Sequence, residues 1–238
     1  MIYIFTQRDP FFIDEFIYFF DKFGEPYTLC EFPNFNQGIL GGVKRALALY
    51  GPLGFIKLAL YGIYLKFSRP QLKNCHQRLR FQSGPDSVSL LSSMKPSDVL
   101  LSLSAPCRIP VECISVDVPK VNIHCGRLPQ FAGMMPIFWQ ILAGRDSITI
   151  VLHELAQEID RGVVYVEKEM PVRASLFETS VIAKRISAEI FYGYMGALRS
   201  GSNCIDGESG VTPEREVRLS KFPTRADIRR FSRLMRRI

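Results

Sequence analysis

Residues 2–5, Ile-Tyr-Ile-Phe, form a short apolar run that ends in the polar turn Thr6-Gln7-Arg8-Asp9-Pro10. Apolar positions then recur at helical spacing through Phe11, Phe12, Ile13, Phe16, Ile17, Phe19 and Phe20, until Gly24 stops them. A second apolar segment follows at 27–32. Strand, turn, helix, strand is the opening of an open α/β sheet, and ligands of such sheets sit at the carboxyl ends of the strands. Gln7, Arg8, Asp9 and Pro10 are therefore candidate substrate-binding residues. The turn has no glycine and is not a dinucleotide fingerprint, so no nicotinamide cofactor is expected.

Residues 38–50 and 53–67 read as two helical stretches broken by Gly51-Pro52. The second is very apolar, with Lys57 and Lys66 as its only charges. It is expected to pack on the sheet or line a subunit contact, a helix on a membrane surface being the alternative. Residues 78–86 read as a polar loop. From residue 98 the pattern returns to strands, at 99–103, 120–124, 147–153 and 162–166, with a helix over 134–143 ended by Gly144. Ser175 and Glu178 are spaced as a capping box, opening a long amphipathic helix in which Ile182, Ile186 and Ile190 share a face. A Gly/Ser/Asn/Asp stretch at 201–210 is the best boundary, dividing a body of residues 1–200 from an extension of residues 201–238. Residues 224–237 read as a final helix with six arginines.

The chain has 238 residues, of which 47% are hydrophobic and 22% charged, which excludes disordered and fibrous classes. No apolar run reaches about 18 residues without a charge, so no transmembrane segment is expected. No cationic leader precedes the first apolar run, and a secretory signal is not expected either. Six scattered cysteines without a CxxC pair read as reduced thiols in a cytoplasm. The formal net charge of +7 favours an anionic partner.

The chemistry concentrates in two places. On a strand, residues two apart share a face, so Asn122 and His124 present an amide and an imidazole side by side. Leu128-Pro129 and Gly133 then force a tight loop into a helix carrying Pro136 and Trp139, and Asp160-Arg161-Gly162 puts a carboxylate in a turn before a strand. An amide donor, an imidazole and a carboxylate suit oxyanion stabilisation with proton transfer. Taken singly, each has a bland reading as a turn former or a structural residue. The histidines and cysteines show no metal-ligand spacing, so no metal is expected. The residues alone reach an α/β enzyme acting on an anionic substrate.

The run from Asn122 through His124, Leu128, Pro129, Gly133, Pro136 and Trp139 to Gly144, followed by Asp160 and Gly162, resembles the signature of the folate-dependent formyltransferases. That family includes the glycinamide ribonucleotide, methionyl-tRNA and sugar N-formyltransferases. The resemblance is strong over residues 98–172 and poor over 38–95. It implies an open, twisted, mostly parallel sheet with helices on both faces and a short C-terminal helical tail. It also implies formyl transfer from 10-formyltetrahydrofolate to a primary amine. Asn122 and His124 would hold the formyl oxygen as it becomes an oxyanion, and Asp160 would orient His124 and relay protons. Cys107, Arg108, Ile109 and Pro110 would lie along the folate on one side, with Leu155, Ala156, Gln157 and Glu158 closing the other. His153 matches a position often held by histidine in relatives and is read as a supporting residue. Ala156-Gln157-Glu158 departs from the acidic residue and glycine of several members, and Arg161 from a common threonine.

For the amine, the glycine-rich phosphate loop of purine-pathway members is absent after the first strand. Too few residues follow Gly210 for the tRNA-gripping domain of methionyl-tRNA members. Phe222-Pro223-Thr224 resembles a short terminal motif of sugar-modifying members. The expected substrate is thus a nucleoside-diphosphate amino sugar for surface polysaccharide, with a natural-product amine or hydroxylamine, or methionyl-tRNA, as alternatives. Nucleic acid is not the expected partner, and a homodimer and a cytoplasmic location are expected. A degenerate member serving as a membrane- or partner-binding module is the non-enzymatic alternative.

Overall fold

A computed structural model describes residues 1–8, 12–33, 39–68, 72–202 and 219–235. Strand β1 (Ile2–Gln7) leads into helix α1 (Phe12–Asp21), strand β2 (Tyr27–Phe32), helix α2 (Ile39–Ser68) and strand β3 (Cys75–Arg80). A short helix α3 (Val88–Ser92) precedes β4 (Val99–Leu103) and β5 (Lys120–His124). Helix α4 (Pro136–Leu142), strands β6 (Ser147–Glu154) and β7 (Val164–Pro171), and helices α5 (Leu176–Ser200) and α6 (Arg225–Leu234) complete the chain.

The strands form one sheet in the order β3-β2-β1-β4-β5-β6-β7. Pairings from β3 through β5 are parallel, and β6 and β7 are antiparallel. The α/β class and the mostly parallel sheet are as expected. The chain runs outward from β1 to β3 and returns to β4 on the other side of β1. That reversal makes the β1/β4 boundary the topological switch point, where such sheets open a crevice at their carboxyl ends.

Burial explains the strand sequences. Every residue of β4 is buried, because both faces of the sheet are covered there, and continuous apolar runs are the mark of such strands. On one face Phe16, Phe20, Leu101, Ile150 and Phe191 join α1, α4 and α5 to the sheet. On the other, Phe5, Phe32, Leu91, Leu100 and Val111 pack beneath α3 and the turn at Val111–Cys113.

Two local readings change. The polar loop expected at 78–86 overlaps β3, a parallel edge strand from Cys75 to Arg80 with His76, Gln77, Arg78 and Arg80 exposed. An edge strand open to solvent carries polar side chains, so the apolar pattern that betrays inner strands is missing. The break expected at Gly51-Pro52 is present: Gly51 takes φ +67° and ψ 176°, outside helical geometry, and divides α2 into two helical halves. The expected packing of its second half on the sheet is also corrected. One edge of that half touches the body, but Leu53, Ile56, Leu60, Ile63 and Phe67 stand exposed.

Ser175 Oγ accepts the Glu178 N–H at 3.1 Å at the start of α5, and Thr224 and Asp227 form a complete capping box on α6. Of the boundary stretch at 201–210, residues 203–210 lie outside the described residues. Past it, Ser220 pairs with the loop before α4: its N–H donates to Ala132 O and its carbonyl accepts from Met134 N–H, both at 2.8 Å. Phe231 of α6 stacks on Phe138 of α4 with centroids 4.6 Å apart.

Candidate functional site

Asn122 and His124 occupy the carboxyl half of β5, which pairs parallel with β4 and antiparallel with β6. Register sets Asn122 opposite His153 on β6. The loop after β6 returns at Val163, whose carbonyl accepts from Glu154 N–H at 2.7 Å, and so carries Asp160 back over the end of β5. Asp160 sits there in a left-handed conformation, φ +56°. Gly162 has to be glycine: a Cβ would stand 1.9 Å from the Glu154 carbonyl oxygen.

The three residues singled out from the sequence come together. His124 Nδ1 lies 3.6 Å from Asp160 Oδ2, and Asn122 Nδ2 lies 3.5 Å from Asp160 Oδ1. His153 completes the cluster. Its Nδ1–H donates to the Glu154 carbonyl at 2.7 Å, which leaves Nε2 as an acceptor for Asn122 Nδ2–H at 2.9 Å. Those bonds settle which way the Asn122 amide points, with its NH2 toward His153 and Asp160. The strong bond to His153 holds one N–H, and the long contact to Asp160 leaves the second available to an incoming oxygen.

His124 Nε2–H donates to the Phe131 carbonyl at 2.8 Å, so a neutral ring exposes its Nδ1 lone pair toward Asp160. Burial lowers the His124 pKa and outweighs the Asp160 carboxylate, which favours the charged ring. For Asp160 burial works against ionisation, but positive charge on the His124 and His153 rings when they are protonated, together with the Gly133 N–H, holds its carboxyl below the usual range. A neutral imidazole next to an ionised carboxylate is a pair set to accept one proton.

Gly133 N–H donates to Asp160 Oδ2 at 2.8 Å. The residue has φ +95°, and a Cβ there would meet the Ser220 backbone at 2.6 Å. The C-terminal segment thus clamps the loop that holds the carboxylate.

The remaining candidates fall around this cluster. Arg108 Nε donates to the Gln157 carbonyl at 3.2 Å, joining the segment Cys107, Arg108, Ile109, Pro110 to the loop Leu155, Ala156, Gln157, Glu158. Ile109 is buried, and Cys107 and Leu155 are half-buried against the same apolar cluster. Gln157 and Glu158 are exposed, Glu158 pairing with Arg161 at 3.1 Å. Gln7 ends β1 and Arg8 is exposed beyond it, its N–H bonded to the Phe32 carbonyl. Asp9 and Pro10 lie outside the described residues.

Two residues escaped sequence reading. Lys184 of α5 is buried at 8% exposure and donates to Ser104 Oγ at 3.0 Å, just past β4, where Ser104 has φ +54°. Its charge also disfavours the imidazolium form of His124. A lysine on an otherwise apolar helical face was the available signal. Gln140 of α4 donates to the Cys125 carbonyl and accepts from Thr149 N–H, tying the end of β5 to β6. Among the described residues no three His, Cys, Asp or Glu side chains gather as a metal would require.

Comparison with known proteins finds formyltransferases both by sequence and by fold. A methionyl-tRNA formyltransferase from Ligilactobacillus salivarius is 22% identical over 146 residues, covering 57% of this chain and 46% of that one. The chain spans less than half the length of the curated relatives it matches. A 4-N formyltransferase structure from Francisella tularensis superposes with a TM-score of 0.56 at 15% identity, covering 98% of this chain and 86% of that one. An N-formyltransferase from Helicobacter canadensis, solved with folinic acid and dTDP-3-aminofucose, gives 0.50 at 14%, covering 84% and 64%. Residues 108–194, the stretch that carries Asn122, His124 and Asp160, match the model of the formyl transferase family.

Proposed function

We propose that this chain transfers a formyl group from 10-formyltetrahydrofolate to the primary amine of a nucleoside-diphosphate amino sugar. The observation that carries the reading is the cluster of Asn122, His124, His153 and Asp160 at the carboxyl end of the sheet. The joined walls 107–110 and 155–158 fit a folate. Backbone groups of two neighbouring loops, backed by buried Ile109 and half-buried Leu155, suit a flat heterocycle with donor and acceptor edges.

When bound, the folate supplies an activated formyl carbon. The second Asn122 N–H is placed to meet a developing oxyanion, exchanging its long contact to Asp160 for a short charge-assisted bond. An attacking amine must shed a proton. His124 Nδ1 is the acceptor, and the imidazolium it forms is stabilised by Asp160 Oδ2. Nδ1 stays oriented because Nε2–H is anchored on the Phe131 carbonyl. Lys184 adds positive potential near the site, which favours a negatively charged tetrahedral state.

The sugar-nucleotide reading rests on exposed Arg8 at the end of β1 and on the dTDP-3-aminofucose held by one structural neighbour. The test is purified protein with 10-formyltetrahydrofolate and a panel of nucleoside-diphosphate amino sugars, following tetrahydrofolate release and the mass gain of the sugar. Turnover with at least one sugar, and none without an amine, is expected. Turnover on methionyl-tRNA alone, or on no amine offered, overturns the substrate assignment.

A further inference from the structure

The second half of α2, residues 52–68, is apolar on two opposite sides. Leu58, Tyr61 and Leu65 face the body, where the Tyr61 hydroxyl bonds the buried Glu15 carboxylate, its ring lies edge-on to Phe177, and Arg185 closes on Glu15 at 2.5 Å. On the opposite side Leu53, Ile56, Leu60, Ile63 and Phe67 recur at three- and four-residue spacing and are 53–81% exposed. A helix apolar all round belongs inside something, and an apolar stripe of this length left to water marks a contact.

Charge identifies the occupant. Between Glu31 and Asp86 the sequence has eight Lys and Arg residues and no Asp or Glu, against a chain total of +7, so this one segment accounts for the entire positive excess. Lys44, Lys57 and Lys73 are exposed, and Lys57 borders the apolar stripe, one turn from Leu53 and from Leu60. A second copy of the chain would bring the same uncompensated positive charge against itself. An anionic lipid surface offers what the stripe lacks on both counts, hydrocarbon for the leucines and phosphate for the lysines.

The stretch Ala46–Leu65 has a mean hydropathy of 1.5 and is long enough to cross a bilayer. Its bonds to the body argue for lying flat. Tyr61 and Leu65 remain docked on the protein, Gly51-Pro52 kinks the helix, and Lys57 beside the middle of the stripe is suited to the headgroup level and not to the bilayer centre. We propose that the outward face of α2 docks the protein peripherally on an anionic membrane surface. The placement has a consequence for the site. Tyr50 and Tyr61 of α2 contact Phe12 and Phe177, at the starts of α1 and α5, so the inner side of the docking helix flanks the helix that follows the β1 rim.

The test is co-sedimentation of the full chain with vesicles of phosphatidylcholine alone and with about 30 mol% phosphatidylglycerol. Wild type is expected to pellet with the anionic vesicles and to be released by salt or by carbonate. The triple variant Leu53→Gln, Leu60→Gln, Phe67→Gln is expected to lose binding by about tenfold or more while its thermal melt is unchanged, since all three side chains already face solvent. Lys57→Glu should weaken binding to anionic vesicles only. Wild type left in the supernatant with both vesicles, or a triple variant that pellets as well as wild type, overturns the proposal. So does carbonate-resistant binding, which would mean a spanning helix. A lipid-free dimer that the triple variant dissociates would show that a second copy covers the stripe.

Discussion

His153 shows how a residue away from the expected reacting atoms can aim one that meets them. Its Nδ1–H is committed to the Glu154 carbonyl, so its Nε2 can only accept, and the Asn122 amide has one orientation that satisfies it. Truncating Asn122 removes the proposed oxyanion donor itself, and Asn122→Ala is expected to lower kcat about 10²–10³-fold with KM little changed. His153→Ala leaves Asn122 in place but frees its amide to rotate. A loss of up to about 10²-fold in kcat is expected, partly restored by His153→Gln, whose carbonyl can still accept. Steady-state kinetics on the best amine from the sugar panel checks both. A His153→Ala enzyme with wild-type kcat would mean that the amide is aimed by Asp160 instead. The pair Asn122 and His124 was legible because strand geometry puts residues two apart on one face. The Gly133 N–H and Lys184 contributions were not, since the first is a backbone group and the second arrives from 60 residues farther along the chain.

At the scale of elements, inner strands announced themselves and the periphery did not. β4 and β6 read directly from sequence because burial on both faces demands unbroken apolar runs, and α4 read from its bounding Pro136 and Gly144. β3 was hidden by its polar edge, and α2 was legible as a helix while its surroundings were not, because periodicity reports faces and not what covers them. The C-terminal segment is the instructive case. Its six arginines do not say what it packs against, and Phe231 is 4% exposed against Phe138, while Trp139 Nε1–H donates to the Lys221 carbonyl at 3.1 Å. Since Ser220, ahead of α6, also braces Gly133, the donor to Asp160, the C-terminal segment supports the candidate site through the loop before α4. Phe231→Ala is expected to cost about 3–5 kcal/mol by denaturant unfolding, the usual range for a buried phenylalanine. A cost under about 1 kcal/mol would mean that α6 is only loosely held.

For the whole molecule, the buried site makes stability a function of acidity. Folding removes His124 from water and lowers its affinity for protons, the burial outweighing the attraction of Asp160, while the charge of Lys184 acts in the same direction as burial. The unfolded chain therefore binds the proton more readily once pH falls below the ordinary histidine value of 6.5, and stability declines with it. Asp160 acts in the same direction in a lower window. Its folded carboxyl titrates below the ordinary 3.8, so the stability it contributes is present above that value and is lost as pH falls through the folded one. Between pH 7 and 5 the slope should thus come from histidine and not from Asp160, at no more than about 1.4 kcal/mol per pH unit for one group. His124→Gln keeps a side-chain amide able to donate to the Phe131 carbonyl but cannot titrate. Calorimetric melts across this range should show wild type losing Tm as pH falls, and His124→Gln losing distinctly less. Equal slopes in the two proteins would place the acid sensitivity elsewhere and would remove the case for a neutral His124 as the group that receives the amine proton.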